Sequence, residues 1–283
     1  MSGNTLSYSI DTTKYIDRML TFCKIQGLNI NLDSPKTIQD KLCWLNIYDT
    51  NPLKVKCADK IKIHDYCKDV LGEDICVPII KVYNNVSEIN WDELPNQFVM
   101  KCNHGSGMNI ICTDKSKLNK VDAINKLNRW MKDDFAFRNG FEAHYHDIEH
   151  KIFVEEYKND GNKDLIDYKF LCFNGNPIYC QVIGGRNEKS RHLNYYDMDF
   201  DFVDISRYDF PNNPKIIDKK PINFEKMKEF SKILSEPFKF VRVDFYEIDG
   251  RVFLGELTFT PGAMAFKYKN DDDNIKVGSL LKL

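Results

Sequence analysis

The spacing of hydrophobic positions changes along this chain. Near the N-terminus Tyr15, Ile16, Met19, Leu20 and Cys23 share one helical face, with Thr12 or Thr13 placed to cap the helix and Gly27 to end it. Ile38, Leu42, Leu45 and Tyr48 repeat that spacing after Ser34-Pro35, and a third helix is expected over 53–71, stopped by Gly72. From Val77 onward, short runs rich in β-branched and aromatic residues take over. They predict strands over 77–83, 97–102, 108–113, 151–157, 166–173 and 177–183. Helical spacing returns at Leu118, Val121, Ile124, Leu127 and Met131, and again over 224–234. Two last strands are expected over 238–247 and 251–258, joined at Asp249-Gly250, and Asn174-Gly175 marks another hairpin. The charged run 270–274 is expected to be a solvated loop, and no internal repeat or low-complexity linker is visible.

The last two strands carry the first chemical signal. Val241, Val243 and Phe245 alternate with Arg242 and Asp244, while Leu257 and Phe259 alternate with Glu256 and Thr258. Charges in so apolar a setting need partners, and a divalent cation is one. Register decides whether the carboxylates meet. A plain two-residue loop at Asp249-Gly250 pairs residue 244 with 255 and puts Asp244 and Glu256 on opposite faces; a longer loop or one bulge unites them. A metal-holding hairpin therefore predicts an irregular register. The alternative is an ion pair between Asp244 and Arg242 or another base.

Upstream, Lys101 ends a strand and precedes Asn103-His104-Gly105-Ser106-Gly107. Backbone amides in such a loop cradle phosphate oxygens, and a neighbouring lysine neutralises them. The loop lacks the Gly-Lys-Ser/Thr of a Walker A motif, and a strand, not a helix, is expected after it, so a flexible hairpin turn is the competing reading. Lys60, on the expected third helix, reads by itself as a surface lysine. Asp167 and Lys169 mix charge into another apolar strand, and Glu155-Glu156-Tyr157 closes one. His144, His146 and His150 lack the His-Glu-x-x-His pattern, and Ser106 lacks a nucleophile-elbow context, so zinc and acyl-enzyme chemistry are disfavoured.

Composition narrows the classes. The 283 residues suffice for one large domain or two small ones, and a formal net charge of -2 disfavours general nucleic-acid binding. Nine scattered cysteines without a Cys-x-x-Cys pair suit a reducing compartment, where they act as small apolar residues. No apolar run approaches the roughly 20 residues of a membrane helix and no signal peptide is visible, so a soluble cytoplasmic protein is expected.

Taken in order, these pieces resemble the ATP-grasp superfamily: Lys60 before a Val-Pro strand, Lys101 before a glycine loop, the Glu155-Glu156-Tyr157 hinge, and Asp244 followed by eleven residues and Glu256. More narrowly, the chain resembles the TupA-like branch, named for teichuronopeptide biosynthesis. That likeness lies in 41–45, 98–107, 167–175, 240–244 and 255–262, and runs from about residue 40 to the C-terminus. It implies an α+β, ATP-grasp fold with two α+β subdomains gripping ATP: a helical segment over 1–75, a small lobe over 76–157 and a large lobe over 158–283. It also implies that Lys60 and Lys101 contact phosphates under the loop 103–107, that Glu155, Glu156 and Tyr157 meet adenine, and that Asp167 or Lys169 faces ribose or phosphate. Asp244 and Glu256 would hold Mg2+. Arg242 would stabilise charge on an acyl phosphate or tetrahedral intermediate. Thr258 stands where the family usually has asparagine, which weakens that metal position.

The implied activity is an ATP- and Mg2+-dependent carboxylate–amine ligase, joining an amino acid or amine to a uronic acid in capsular or cell-surface polysaccharide biosynthesis. No covalent nucleophile is required, because the protein supplies positioning and cations. Arg186, Arg191 and His192 are the candidates for an acidic substrate, against a plain solvated basic loop. The competing functions are a phosphotransferase acting on a hydroxyl, which would need kinase motifs the chain lacks, a non-catalytic partner of an assembly complex, and a sugar-nucleotide glycosyltransferase, whose chemistry explains the lysine pair less well.

Overall fold

The computed structural model describes residues 7–159, 165–185 and 191–283. Four helices lead: α1 Ile16–Ile25, α2 Ile38–Tyr48, α3 Leu53–Ala58 and α4 Ile63–Leu71. A first antiparallel sheet follows from β1 Ile79–Tyr83, β2 Phe98–Cys102, β3 Asn109–Cys112 and β4 Ile152–Glu156, in the order β1-β4-β2-β3, with helix α5 Lys120–Trp130 inserted before β4. The second sheet uses β5 Asp167–Phe173, β6 Asn176–Gly184, β7 His192–Tyr196, β8 Phe202–Val203, β9 Phe240–Ile248 and β10 Arg251–Thr258. Its order is β10-β9-β5-β6-β7-β8, all antiparallel, so strands remote in sequence, β5 and β9, lie side by side at its centre. Helix α6 Phe224–Ser235 precedes β9, and α7 Asp271–Ser279 closes the chain. The architecture is α+β, as expected.

The large sheet is two-faced because its strands alternate. Val241, Val243 and Phe245 are fully buried and face α6, whose Phe224, Met227 and Leu234 recur at helical spacing. The opposite face carries the charges discussed below. The loop before β1 joins the second sheet directly: Cys76 bridges Leu254, and Leu254 donates to the Ile75 carbonyl at 2.8 Å. The segment before β1 thus docks on the edge strand β10 at its middle. All nine cysteines are buried and unbridged, in keeping with their reading as apolar residues. No helix among the described residues is long and apolar enough to cross a membrane.

Three expectations are corrected. The helix expected over 53–71 is broken at 59–62, because the Asp59 carboxylate accepts from the Ile61 and Lys62 amides and from Asn103, an arrangement that competes with helix continuation. Lys60 therefore sits in a tight corner and not on a helix surface. The charged run 270–274 is no loop: Asn270 caps α7 by accepting from the Asp272 amide, and three aspartates in the first turn complement the helix dipole. At the N-terminus Thr12–Tyr15 form a 3-10 turn capped by Asp11, which accepts from the Thr13 amide, while the Thr12 hydroxyl donates to the Ile47 carbonyl and α1 itself has no side-chain cap.

Candidate functional site

The β9–β10 hairpin has both features that the acidic pair requires. Its connection is the tight Asp249-Gly250 turn, with both residues at positive φ. Pairing starts regularly, from Arg251↔Ile248 to Leu254↔Phe245, then skips Gly255 so that Glu256 faces Asp244 and Thr258 faces Arg242. This bulge moves Glu256 onto the face of Asp244. Glycine is needed because a Cβ at 255 would stand 2.8 Å from the Tyr246 ring and 3.3 Å from the Asp244 carbonyl. Gly255→Val is therefore expected to cost about 1–3 kcal/mol in urea melts and to weaken nucleotide binding by re-registering Glu256; wild-type stability and affinity would contradict this role for the bulge.

The neighbouring strand completes the row. Lys169 on β5 pairs with Asp244, so Lys169, Asp244 and Glu256 run side by side across three strands. Lys169 Nζ bonds Asp244 Oδ2 and lies 3.2 Å from Asp167 Oδ1. Arg242 grips Asp244 through two bonds of 2.6 Å, and its Nη2 also reaches Glu256 Oε1 and Thr258 Oγ1, both at 3.1 Å. Three hard oxygen donors thus converge on one cationic nitrogen, which is the donor chemistry a Mg2+ ion demands.

The two lysines come from the α3–α4 corner and from β2 of the first sheet. Lys60 Nζ donates to the Gly105 carbonyl at 2.5 Å, and its amide donates to the Asn103 carbonyl, so the α3–α4 corner and the glycine loop are tied together. Lys101 pairs with Glu155 on adjacent β4. Asn103 and His104 are buried and hold the loop from beneath. Asn103 bonds Asp59, the Glu149 carbonyl and the Lys151 amide; His104 bonds the Trp130 carbonyl and stacks on His150. Ser106 and Gly107 remain outward, with Gly107 at φ 71°, where a side chain would be strained. A strand, β3, follows this loop, as expected.

Electrostatics couple the acidic hairpin to the α3–α4 corner. Burial alone would raise Glu256, but Lys60, Arg242 and Lys169 override it and hold the carboxyl down at about 2. Burial lowers Lys60, with Glu256 opposing. Burial also pushes Asp244, 1% exposed, upward against Arg242 and Lys169. Arg242 is held above its ordinary value, burial being outweighed by Asp244 and Glu256.

Three adjoining cavities follow from this arrangement. The first, about 400 Å3, is lined by Val77, Val99, Phe153 and Leu254, with Glu156 and Tyr157 at its edge. The second, about 200 Å3, shares Lys60, Lys101 and Asp167 with it and is lined further by Lys169, Asp244, Glu256 and Gly107. The third, about 490 Å3, shares Ser106 and Glu256 with the second and includes Arg242, Thr258, Thr260 and Glu142. A cleft with an apolar wall, a chamber lined by three lysines and three carboxylates, and a polar chamber thus lie in sequence.

Other expected residues lie elsewhere. Arg191 stacks over the Phe210 ring, 4.3 Å from its centroid, and His192 bonds Asp218 at 2.9 Å; neither lines these cavities. His192 on β7, with Arg191 just before it, stands apart from the row Lys169–Asp244–Glu256, with β6 between β7 and β5. Arg186 lies outside the described residues. His146 and His150 bond Asp134 and the Met131 carbonyl, while His144 packs on Tyr145 and Phe259, so the three form no metal cluster.

Glu142 escaped the sequence reading, although a lone acid in Phe141-Glu142-Ala143 was a usable signal. It is 4% exposed and accepts a bond from the Thr260 hydroxyl. Burial pushes it up to about 7, with Thr260 opposing and Glu256 assisting. Its protonated form therefore stabilises the fold fully below about pH 4.5, and that contribution is lost as pH rises through about 7. Glu142→Gln is expected to stabilise the protein by on the order of 3 kcal/mol at pH 8 and to change little at pH 4; a lower melting temperature at pH 8 would contradict it.

A family model described as TupA-like ATPgrasp matches residues 40–282. Among solved structures, D-alanine–D-alanine ligase from Bacillus anthracis complexed with ATP is similar at 16% identity, covering 86% of this chain and 69% of that one, with a TM-score of 0.47. D-Alanine–D-alanine ligase from Helicobacter pylori is similar at 17% identity, with coverages of 86% and 65% and a TM-score of 0.46. The ATP-grasp ligase PsnB complexed with minimal precursor, Mg and ADP is similar at 9% identity, with coverages of 74% and 52% and a TM-score of 0.40. The chain thus spans between 52% and 69% of the length of these structures. The search of curated proteins gives no match.

Proposed function

The chain belongs to the TupA-like ATP-grasp family and has its fold, and from that premise and the geometry above we propose that it is an ATP- and Mg2+-dependent ligase joining a carboxylate to an amine through an acyl phosphate. The observation that carries this reading is the bulged row Lys169–Asp244–Glu256, set between an apolar cleft and a polar chamber. In this reading 76–157 and 158–283 are the two lobes around the nucleotide, and 1–75 is a helical flank.

Adenine would occupy the apolar cleft, with Glu156 and Tyr157 at its edge and Glu155 orienting Lys101. Lys60, Lys101 and the backbone of 105–107 would receive the phosphates, with Asp167 and Lys169 beside them. Asp244 and Glu256 would hold Mg2+, with the Thr258 hydroxyl as a weaker neighbour; the ion would neutralise phosphate charge when bound. Arg242, which already bonds both carboxylates and Thr258, would turn to charge developing on the acyl group.

The substrate class proposed from the family likeness is a uronic acid as carboxylate and an amino acid or small amine as nucleophile. Incubation with ATP, MgCl2, uronic acids and an amine panel tests it, read by mass spectrometry. ADP, phosphate and an amide are expected. A phosphoester product would make the protein a kinase. Turnover confined to other carboxylates would keep the ligase reading and remove the uronic acid.

A further inference from the structure

The third cavity has no assigned occupant. It lies at the far side of Glu256 from the apolar cleft, so a molecule in it would meet the end of the nucleotide where phosphate is transferred. Its most unusual group is Glu142. Asp244 and Glu256 each contact guanidinium nitrogens, whereas Glu142 receives a hydroxyl bond from Thr260 and, among the described residues, has no ion-pair partner. Buried without a cation, this carboxyl favours its protonated form, and an arriving cation would favour the carboxylate.

The wall that presents Thr260 is also strained. Gly262, Ala263 and Met264 follow it at φ 59°, 50° and 64°, and Gly262 and Ala263 line the cavity. Positive φ at two non-glycine residues in succession is a conformation that the surroundings must enforce, and such strain gathers at ligand sites. Tyr145 and Thr258 add hydroxyls to the same chamber, and Arg242 closes it toward the acidic row.

We propose that this cavity is the acceptor subsite and that Glu142 receives the ammonium group of a primary-amine co-substrate. The inference rests on the ligase reading above and extends it to a named residue. Glu142 takes one proton from the ammonium nitrogen, freeing its lone pair. That pair forms the C–N bond to the acyl carbon as the C–O bond to phosphate breaks. The departing phosphate keeps the bonding electrons and takes the second nitrogen proton. Glu142 then releases its proton to solvent. A carboxyl raised by burial to about 7 is suited to that exchange near neutrality.

The test uses the full chain as wild type and as Glu142→Gln, each titrated calorimetrically with AMPPNP and MgCl2. Each complex is then titrated with methylamine, ethanolamine, L-alanine and L-lysine, and with L-lactate as the hydroxyl counterpart of alanine. AMPPNP is expected to bind both proteins within about twofold, which also shows that the variant is folded. At least one amine is expected to bind the wild-type complex and to lose roughly tenfold or more in the variant, while L-lactate does not distinguish the two. Equal amine affinity in both proteins, or no amine binding to the wild-type complex, overturns the proposal. If AMPPNP itself fails to bind the wild type, the ATP reading falls and takes this inference with it, an outcome the nucleotide titration reports separately.

Discussion

Glu256→Gln is expected to lower the proposed ATP-dependent turnover by about a thousandfold, equivalent to ~4 kcal/mol of transition-state stabilisation. The carboxylate faces three cations, Lys60, Arg242 and Lys169, which together hold it ionised down to about pH 2. Neutralising it removes a proposed metal ligand and leaves those cations facing one another. It also removes the charge that strengthens the bonds from Arg242 Nη2 and the Thr258 hydroxyl, loosening two groups that this carboxylate now positions. Stability changes in the same direction. A depressed carboxyl stabilises the fold above about pH 4.5, and the contribution is lost as pH falls toward 2. The side chain is 31% exposed, so screening by water keeps that loss to about 1 kcal/mol. A steady-state assay with a parallel urea melt separates the two effects: the drop in turnover far exceeds anything a 1 kcal/mol destabilisation produces.

Lys60→Met is expected to weaken AMPPNP binding by about a hundredfold, roughly 3 kcal/mol. The side chain is half-buried between two cavities, so burial lowers its pKa, and the proposed phosphates would supply the compensating charge. Its second role is mechanical, since its Nζ holds the Gly105 carbonyl while its amide holds that of Asn103. Lys60→Arg keeps the charge but is longer and planar, and is expected to restore only part of the affinity. Equal affinity in wild type and Lys60→Met, measured calorimetrically, would remove this lysine from the site.

The hairpin shows how far sequence reasoning reaches. Alternation along β9 and β10 was enough to place the acids on charged faces, and the short Asp249-Gly250 turn made clear that a common face needed one extra residue. Gly255 supplies it, a glycine whose role is space beside Tyr246. The ion pair and the metal were both open readings, and the structure shows Arg242 and Lys169 bonded to Asp244, as the ion-pair reading required. The same oxygens keep the chemistry a metal needs.

Other features were hidden for physical reasons. Asp59 looks like any polar residue in a helical run until its partners, Asn103 and two amides, are folded against it. His192 read as a free base because Asp218, its partner, lies 26 residues downstream. Asn103 and His104 belong to a motif whose backbone is turned toward the cavities while their side chains are turned into the core. Glu142 sits beside a short 3-10 turn with no periodic pattern around it, and its importance comes from Thr260, brought over from 118 residues away.

Calorimetric titration of ATP into the wild type and Asp244→Asn, each with MgCl2 and with EDTA, tests the metal-and-nucleotide site most directly. Wild-type affinity is expected to rise at least about tenfold with magnesium, and Asp244→Asn is expected to lose that rise while remaining folded. Binding that is the same in EDTA, or that the substitution leaves unchanged, would contradict the placement of metal and nucleotide on the β9–β10 hairpin.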